Sequence, residues 1–255
     1  MKRIAIVLAA LLIFGAAKFP IEHSISTAHR AAFFHGAKLD LTLREQIGQG
    51  AFMAALSGFR GVIADVLSIR ANVAWQNTQW SRLIFLYNQI TTLQPRVTLH
   101  WEMAAWYMAF DARTAAMDDP HQPREVLRIK AAREFVRLGV EYLQQGTRNN
   151  PDRYILYNRL GFVLKEKALD HYGSYEAYSK AASFPDCMGY EKRFAAYELS
   201  KCPGKEAQAY ALLLKFYREG EREHTPTLLL RLQAMEEKLN IPSEQRVYIP
   251  SGKAQ

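Results

Sequence analysis

The chain has 255 residues, 49% of them hydrophobic and 12% aromatic, which is enough apolar content for a packed core and too much for a disordered chain. Its 14 glycines and 10 prolines are few for a strand-and-turn protein of this size, and most stand at the ends of periodic apolar runs, where helices stop. The formal net charge is +8 and no run of five like charges occurs. That pattern gives no support to a nucleic-acid-binding tail and fits a mildly basic surface near anionic lipid.

The first element is a targeting segment, residues 1–22. Lys2-Arg3 precedes fourteen uncharged residues, Ile4 to Ala17, and then Lys18-Phe19-Pro20, the positive-then-apolar layout of a secretory signal. Fourteen helical residues span roughly 21 Å, short of the ~30 Å hydrocarbon core. Extension to Ile21 with Lys18 snorkelling to the interface nearly closes that gap. Gly15-Ala16-Ala17 offers a small-x-small cleavage site, so retained anchor and cleaved leader both remain open. As an anchor, Lys2 and Arg3 hold the start in the cytoplasm and place everything after Ile21 outside a bacterial inner membrane. As a leader, the product is a soluble periplasmic protein.

Residues 23–60 read as a membrane-proximal linker and an entry helix, Leu41 to Leu56, ended by Ser57-Gly58-Phe59-Arg60-Gly61. Small residues there (Gly48, Gly50, Ala51, Ala54, Ala55) predict close contact with another helix.

Self-similarity organises residues 61–240. Tyr157-x-x-Leu160-Gly161-x-x-Leu164 closes at Phe184-Pro185, and Pro185 lies 34 residues after Pro151. Thirty-four residues after Leu160-Gly161 stands Phe194-Ala195, again large then small, so that two helices approach closely. Upstream, Trp101-x-x-Ala104-Ala105-x-x-Met108 lies 34 after Leu67-x-x-Arg70-Ala71-x-x-Ala74. From Pro95 to Pro151 and from Trp101 to Tyr157 the interval is 56, a shared excess of 22 over one period. Only Asp118 to Pro123 reads as loop there, so the excess lengthens its flanking helices, 97–117 and 124–146, into a long hairpin. The other helices are predicted near 62–76, 79–93, 153–170, 174–182, 188–201, 205–219 and 227–239. Gly146, Gly173, Gly204 and Gly220 mark helix ends, and Thr225-Pro226 opens the last helix as cap and first-turn proline. Residues 241–255 form a tail.

This spacing resembles the tetratricopeptide repeat (TPR) family, with its W-x-x-L-G-x-x-Y opening and terminal proline, over about residues 61–220. The resemblance implies an all-α, TPR-like right-handed α-solenoid of antiparallel helix pairs, here with one elongated helical hairpin. It also implies a concave groove that holds a protein partner's peptide. Helical spacing from the motif places Ser68, Asn72, Glu102, Trp106, Asn158, Phe162 and Lys165 on that groove. Some relatives grip a peptide's terminal carboxylate with a fixed set of Lys, Asn and Arg. Asn72 and Arg159 fall at two matching places, but Met103 and Ile155 stand where Asn and Lys are needed, so that clamp is incomplete.

No enzyme or metal pattern emerges. The seven histidines show no i, i+4 pair and no H-E-x-x-H, Gly48-Gln49-Gly50 lacks a third glycine and a preceding strand, and there is no G-x-S-x-G. Cys187 and Cys202 flank a predicted helix that separates them by roughly 20 Å, against the ~7 Å limit for a disulfide, so both read as unpaired. No cofactor, metal, nucleic acid or small-molecule substrate is expected. The sequence points to a membrane-tethered protein–protein interaction scaffold assembling an envelope complex. Its partners are proteins of the cell envelope and, through the N-terminal segment, the membrane. A helical-superhelix cell-wall enzyme is the alternative, requiring an acid buried in a cleft.

Overall fold

The computed structural model describes residues 58–247. The targeting segment 1–22, the entry helix 41–56 and the end of the tail lie outside the described residues. Among the described residues the structure is helical throughout, without strands. No helix among them is long and apolar enough to cross a membrane. The described residues divide into two compact units, with the boundary between Tyr107 and Met108.

In the first unit, α1 (Arg60–Gln76) packs on α2 (Trp80–Leu93), which contacts α3 (Thr98–Trp106). Helix α1 buries Ala64, Leu67, Ala71 and Ala74, the 3-4-3 spacing of one helical face. Helix α2 answers with Leu83, Leu86, Ile90 and Leu93, all buried. The connection turns at Thr78, whose φ of 53° lets Gln79 N–H reach Ala74 O at 2.8 Å. Pro95 ends the next connection and is fastened there, because the Trp101 indole N–H donates to its carbonyl at 2.9 Å. Tyr107 closes the unit, its ring 5.5 Å from Trp75 and 5.7 Å from Tyr87. The opposite face of α1 carries an exposed apolar stripe, Val62, Val66, Ile69 and Val73.

The second unit comprises α4 (Arg113–Met117), α5 (Glu125–Asn149), α6 (Tyr154–Val163), α7 (His171–Ala181), α8 (Tyr190–Leu199), α9 (Glu206–Glu219) and α10 (Pro226–Lys238). Each helix packs on the next along the chain. Its C-terminal core joins Leu199, Ala209, Leu213, Leu228 and Leu232, all fully buried. Each such leucine contributes about 1.5–3 kcal/mol relative to exposure. As expected, Thr225 caps α10 by accepting the Leu228 N–H, and Pro226 occupies the first turn.

The 34-residue beat has a physical counterpart. Ala71, Ala105 and Ala195 are buried, and so is Gly161, so the small member of each repeating pair lies inside the fold. At Gly161 a Cβ would meet the Tyr178 ring at 2.9 Å.

Three expectations need correction. The predicted helices 97–117 and 153–170 are not regular, because each widens into a π turn, at Tyr107–Ala112 and Leu164–Ala168. The wider turn brings successive side chains nearer to one face, and Tyr107, Met108, Ala109 and Ala112 are all buried. The second π turn ends at Leu169, a left-handed residue with φ 56°, one step before the expected boundary. Gly146 and Gly173 do not end helices. Gly146 is buried inside α5, which runs on to Asn149. Gly173 lies in the first turn of α7, where its N–H donates to the Asp170 carboxylate at 2.9 Å. Helix α8 is also shorter than 188–201 at both ends.

Candidate functional site

The expected groove residues fall in both units. In the first, Asn72 is exposed, Glu102 is half-buried and Trp106 is 47% exposed. Ser68 is half-buried and its hydroxyl donates to Ala64 O at 2.8 Å, a bond inside its own helix.

In the second unit Phe162 and Lys165 belong to a ladder. Phe110, on the first π turn, stacks on Phe162 of α6 with centroids 5.8 Å apart and planes 11° from parallel. Lys165 stands 4.8 Å from the centroid of Phe194 on α8 and 6.0 Å from that of Phe162. Lys167 stands 4.4 Å above the Phe110 ring. Phe194 also touches Tyr190, centroids 5.2 Å apart. Three elements, the first π turn, α6 and α8, thus present half-buried aromatic faces covered by ammonium groups, an arrangement in which cation and ring attract. The π turn places Lys165 and Lys167 here, since both belong to Leu164–Ala168. Phe110, Phe194 and Lys167 were missed in the sequence because the groove positions were stepped from the motif with regular helical spacing.

Asn158, expected on the groove, is buried instead at 3% exposure. Its amide Nδ2 donates to Tyr190 Oη at 2.8 Å and to Glu191 Oε1 at 2.9 Å. Glu191 is fully buried, and its Oε2 has no hydrogen-bond partner. Asn158 therefore orients an internal carboxylate. Glu191 stands 34 residues after Tyr157, at the motif's opening position, and Glu198 stands 34 after Leu164. Both positions are apolar or aromatic in the other units, yet both glutamates are buried here. Glu198 is paired with Lys201 Nζ and hydrogen-bonded to His171 Nδ1, each at 2.8 Å. Stepping the beat forward from Tyr157 and Leu164 would have exposed both substitutions.

A cavity of about 640 Å³ opens beside the ladder, bounded by α4, α5 and the second π turn. Its floor is aliphatic, from Met117, Ile129, Val136, Val140, Leu164 and Leu169. Arg113, Arg133, Arg137 and Lys167 line it with positive charge, and Asp170 is its one acid. Arg137 is already held by Glu134, at 2.5 and 2.8 Å, and by Glu141. Arg113 and Arg133 make no ion pair among the described residues, and Asp170 is engaged in capping α7. Neither Glu191 nor Glu198 lines the cavity.

Among the described residues no group of three His, Cys, Asp or Glu side chains has the arrangement of a metal site. Both cysteines are free thiols, and burial pushes the Cys202 thiol up from its ordinary value. Burial pulls His100 down, partly opposed by the Asp65 carboxylate, and its Nε2 lies 2.6 Å from Gln94 Oε1. No family model, curated protein or solved structure matches this chain.

Proposed function

We propose that the chain is a membrane-tethered scaffold that binds a protein partner in the bacterial cell envelope, its helices stacking as a TPR-like solenoid of antiparallel pairs. Residues 1–22 serve as the anchor, and the helical units lie on the periplasmic side. The ladder of Phe110, Phe162 and Phe194 with Lys165 and Lys167 carries this reading. Aromatic anchors flanked by cations are the side chains that dominate binding at protein surfaces, and the lysines select acidic residues in the partner. The 34-residue beat with a buried small residue in every unit supports the solenoid, because that contact lets successive helix pairs repeat one geometry. The buried glutamates support a binding role over hydrolysis, since each is bonded inside the fold rather than presented to a cleft.

Crosslinking in native membranes, followed by identification of captured proteins, tests this reading. Capture by the intact chain is compared with capture by a Phe162→Ala, Lys165→Glu double variant and by Asn72→Ala and Trp106→Ala. The double variant loses its partner by about tenfold or more, the effect of deleting an interface anchor. Equal capture of the same proteins by all variants overturns the ladder as the binding face.

A further inference from the structure

We propose that the cavity bounded by α4, α5 and the Leu164–Ala168 turn binds a single aliphatic chain ended by an anionic group, a carboxylate or a phosphate. The site shares Lys167 with the protein-binding ladder, but its argument does not depend on that reading. Its volume, about 640 Å³, falls in the range of small-molecule sites. Its floor follows one stripe of α5, Ile129, Ala132, Val136 and Val140, and twelve residues of helix make a trough roughly 16 Å long. That shape suits an extended acyl tail.

The lining chemistry selects the occupant. Every uncharged side chain around the cavity is aliphatic or methionine; no Asn, Gln, Ser or Thr lines it. A peptide main chain laid there would find no side-chain amide or hydroxyl for its N–H and C=O groups, and burying them unpaired is costly. A hydrocarbon chain needs none. Four cations face one acid, and that acid already accepts the Gly173 N–H. Arg137 is committed to Glu134 and Glu141, which leaves Arg113, Arg133 and Lys167 to receive an anionic head. Leu169 forms part of the lip, at the left-handed residue (φ 56°) that ends the Leu164–Ala168 turn.

The test uses the full chain in phosphatidylcholine nanodiscs with a diazirine-bearing long-chain fatty acid, the labelled peptides being read by mass spectrometry. Label is expected on peptides carrying Met117, Val136–Val140 and Leu164–Leu169. It falls at least fivefold in an Arg113→Glu, Lys167→Glu double variant and in Val140→Trp, which fills the trough. Circular dichroism confirms that each variant retains its helices. Competing laurate and lysophosphatidylglycerol separate the two sources. Competition by laurate alone assigns a free carboxylate, by the lysolipid alone a phosphate headgroup, and by both a general anion site. Dodecyltrimethylammonium, with the same tail and a cationic head, leaves the label in place. The proposal is overturned by label confined to residues 1–22, by equal competition from the cationic amphiphile, or by unchanged label in both variants. Displacement by a short apolar peptide with a free carboxyl terminus, where neither amphiphilic anion competes, also overturns it.

Discussion

The backbone of Gly161 lies against the ring of Tyr178, so closely that a single methyl group on Gly161 would stand 2.9 Å from the ring carbons. The contact is secured from the other side, where the Ser174 hydroxyl donates to Gly161 O at 2.8 Å. Helices α6 and α7 meet here, and Tyr178 is nearly fully buried. Gly161→Ala must therefore displace a buried ring, and overpacking of this kind costs about 1–3 kcal/mol. Gly189 provides the comparison, since it has right-handed φ and ψ and nothing within 4 Å of its would-be Cβ. Urea denaturation is expected to show a lower midpoint for Gly161→Ala and an unchanged or slightly higher one for Gly189→Ala.

Asn158 supports the carboxylate of Glu191, so its removal acts on stability before it acts on binding. Asn158→Ala withdraws the amide that donates to the fully buried Glu191 Oε1, and leaving a buried polar atom unpaired costs about 1–3 kcal/mol. Asn72→Ala, at an exposed position on α1, changes stability by no more than about 0.5 kcal/mol. Glu191→Met in the Asn158→Ala background recovers part of the loss, because an apolar side chain leaves no buried acceptor unpaired. Thermal unfolding of the four proteins measures the difference; equal midpoints for Asn158→Ala and Asn72→Ala would contradict the internal role.

His100 ties stability of the first unit to pH. Burial lowers its folded-state pKa below 6.5, with Asp65 opposing in part, so the folded chain holds it neutral where the unfolded chain begins to bind a proton. Stability from this residue is therefore complete above about pH 6.5 and is lost as pH falls through the lowered folded-state value. His100→Asn keeps an amide partner for Gln94 and does not titrate. The loss of urea resistance between pH 7.5 and 5.5 is expected to be smaller in this variant than in the parent chain. An identical loss would show that His100 carries none of it.

The two thiols separate by reactivity. Cys202 is buried, its Sγ donates to Glu198 O at 3.4 Å, and burial raises its pKa above the ordinary 9.0. Cys187 is half-exposed. A maleimide at pH 8 is expected to modify Cys187 promptly and Cys202 at least about tenfold more slowly, because the thiolate is the reacting species. Full modification of both then requires denaturant. Mass spectrometry after timed quenching measures the rates, and equal rates would contradict the burial of Cys202.

Much of this architecture was legible because it depends on where small and large residues recur. Ala71, Ala105, Gly161 and Ala195 keep the beat, and each is buried. Thr225-Pro226 announced its cap by residue type alone. The π turns were illegible, because no local residue type demands one; the choice rests on how many neighbouring side chains the surrounding helices bury. Those turns then set the site, moving Lys167 and Phe110 onto the aromatic face and ending at Leu169. Asn158 was misplaced for a different reason. Regular spacing put it outward, whereas the glutamate at the next unit's opening position requires a buried amide. A charged residue at an aromatic motif position was the available signal.

The central claim is that the face carrying Phe110, Phe162 and Phe194 meets a protein partner. A photoreactive amino acid placed at Phe162 in the intact chain, illuminated in living cells, tests it most directly, with Lys130 on the exposed side of α5 as reference. One discrete crosslinked envelope protein is predicted at Phe162, reduced about tenfold by Lys165→Glu and absent at Lys130. The same adducts at both positions, or none at Phe162 with the chain folded and at its normal level, would contradict the account.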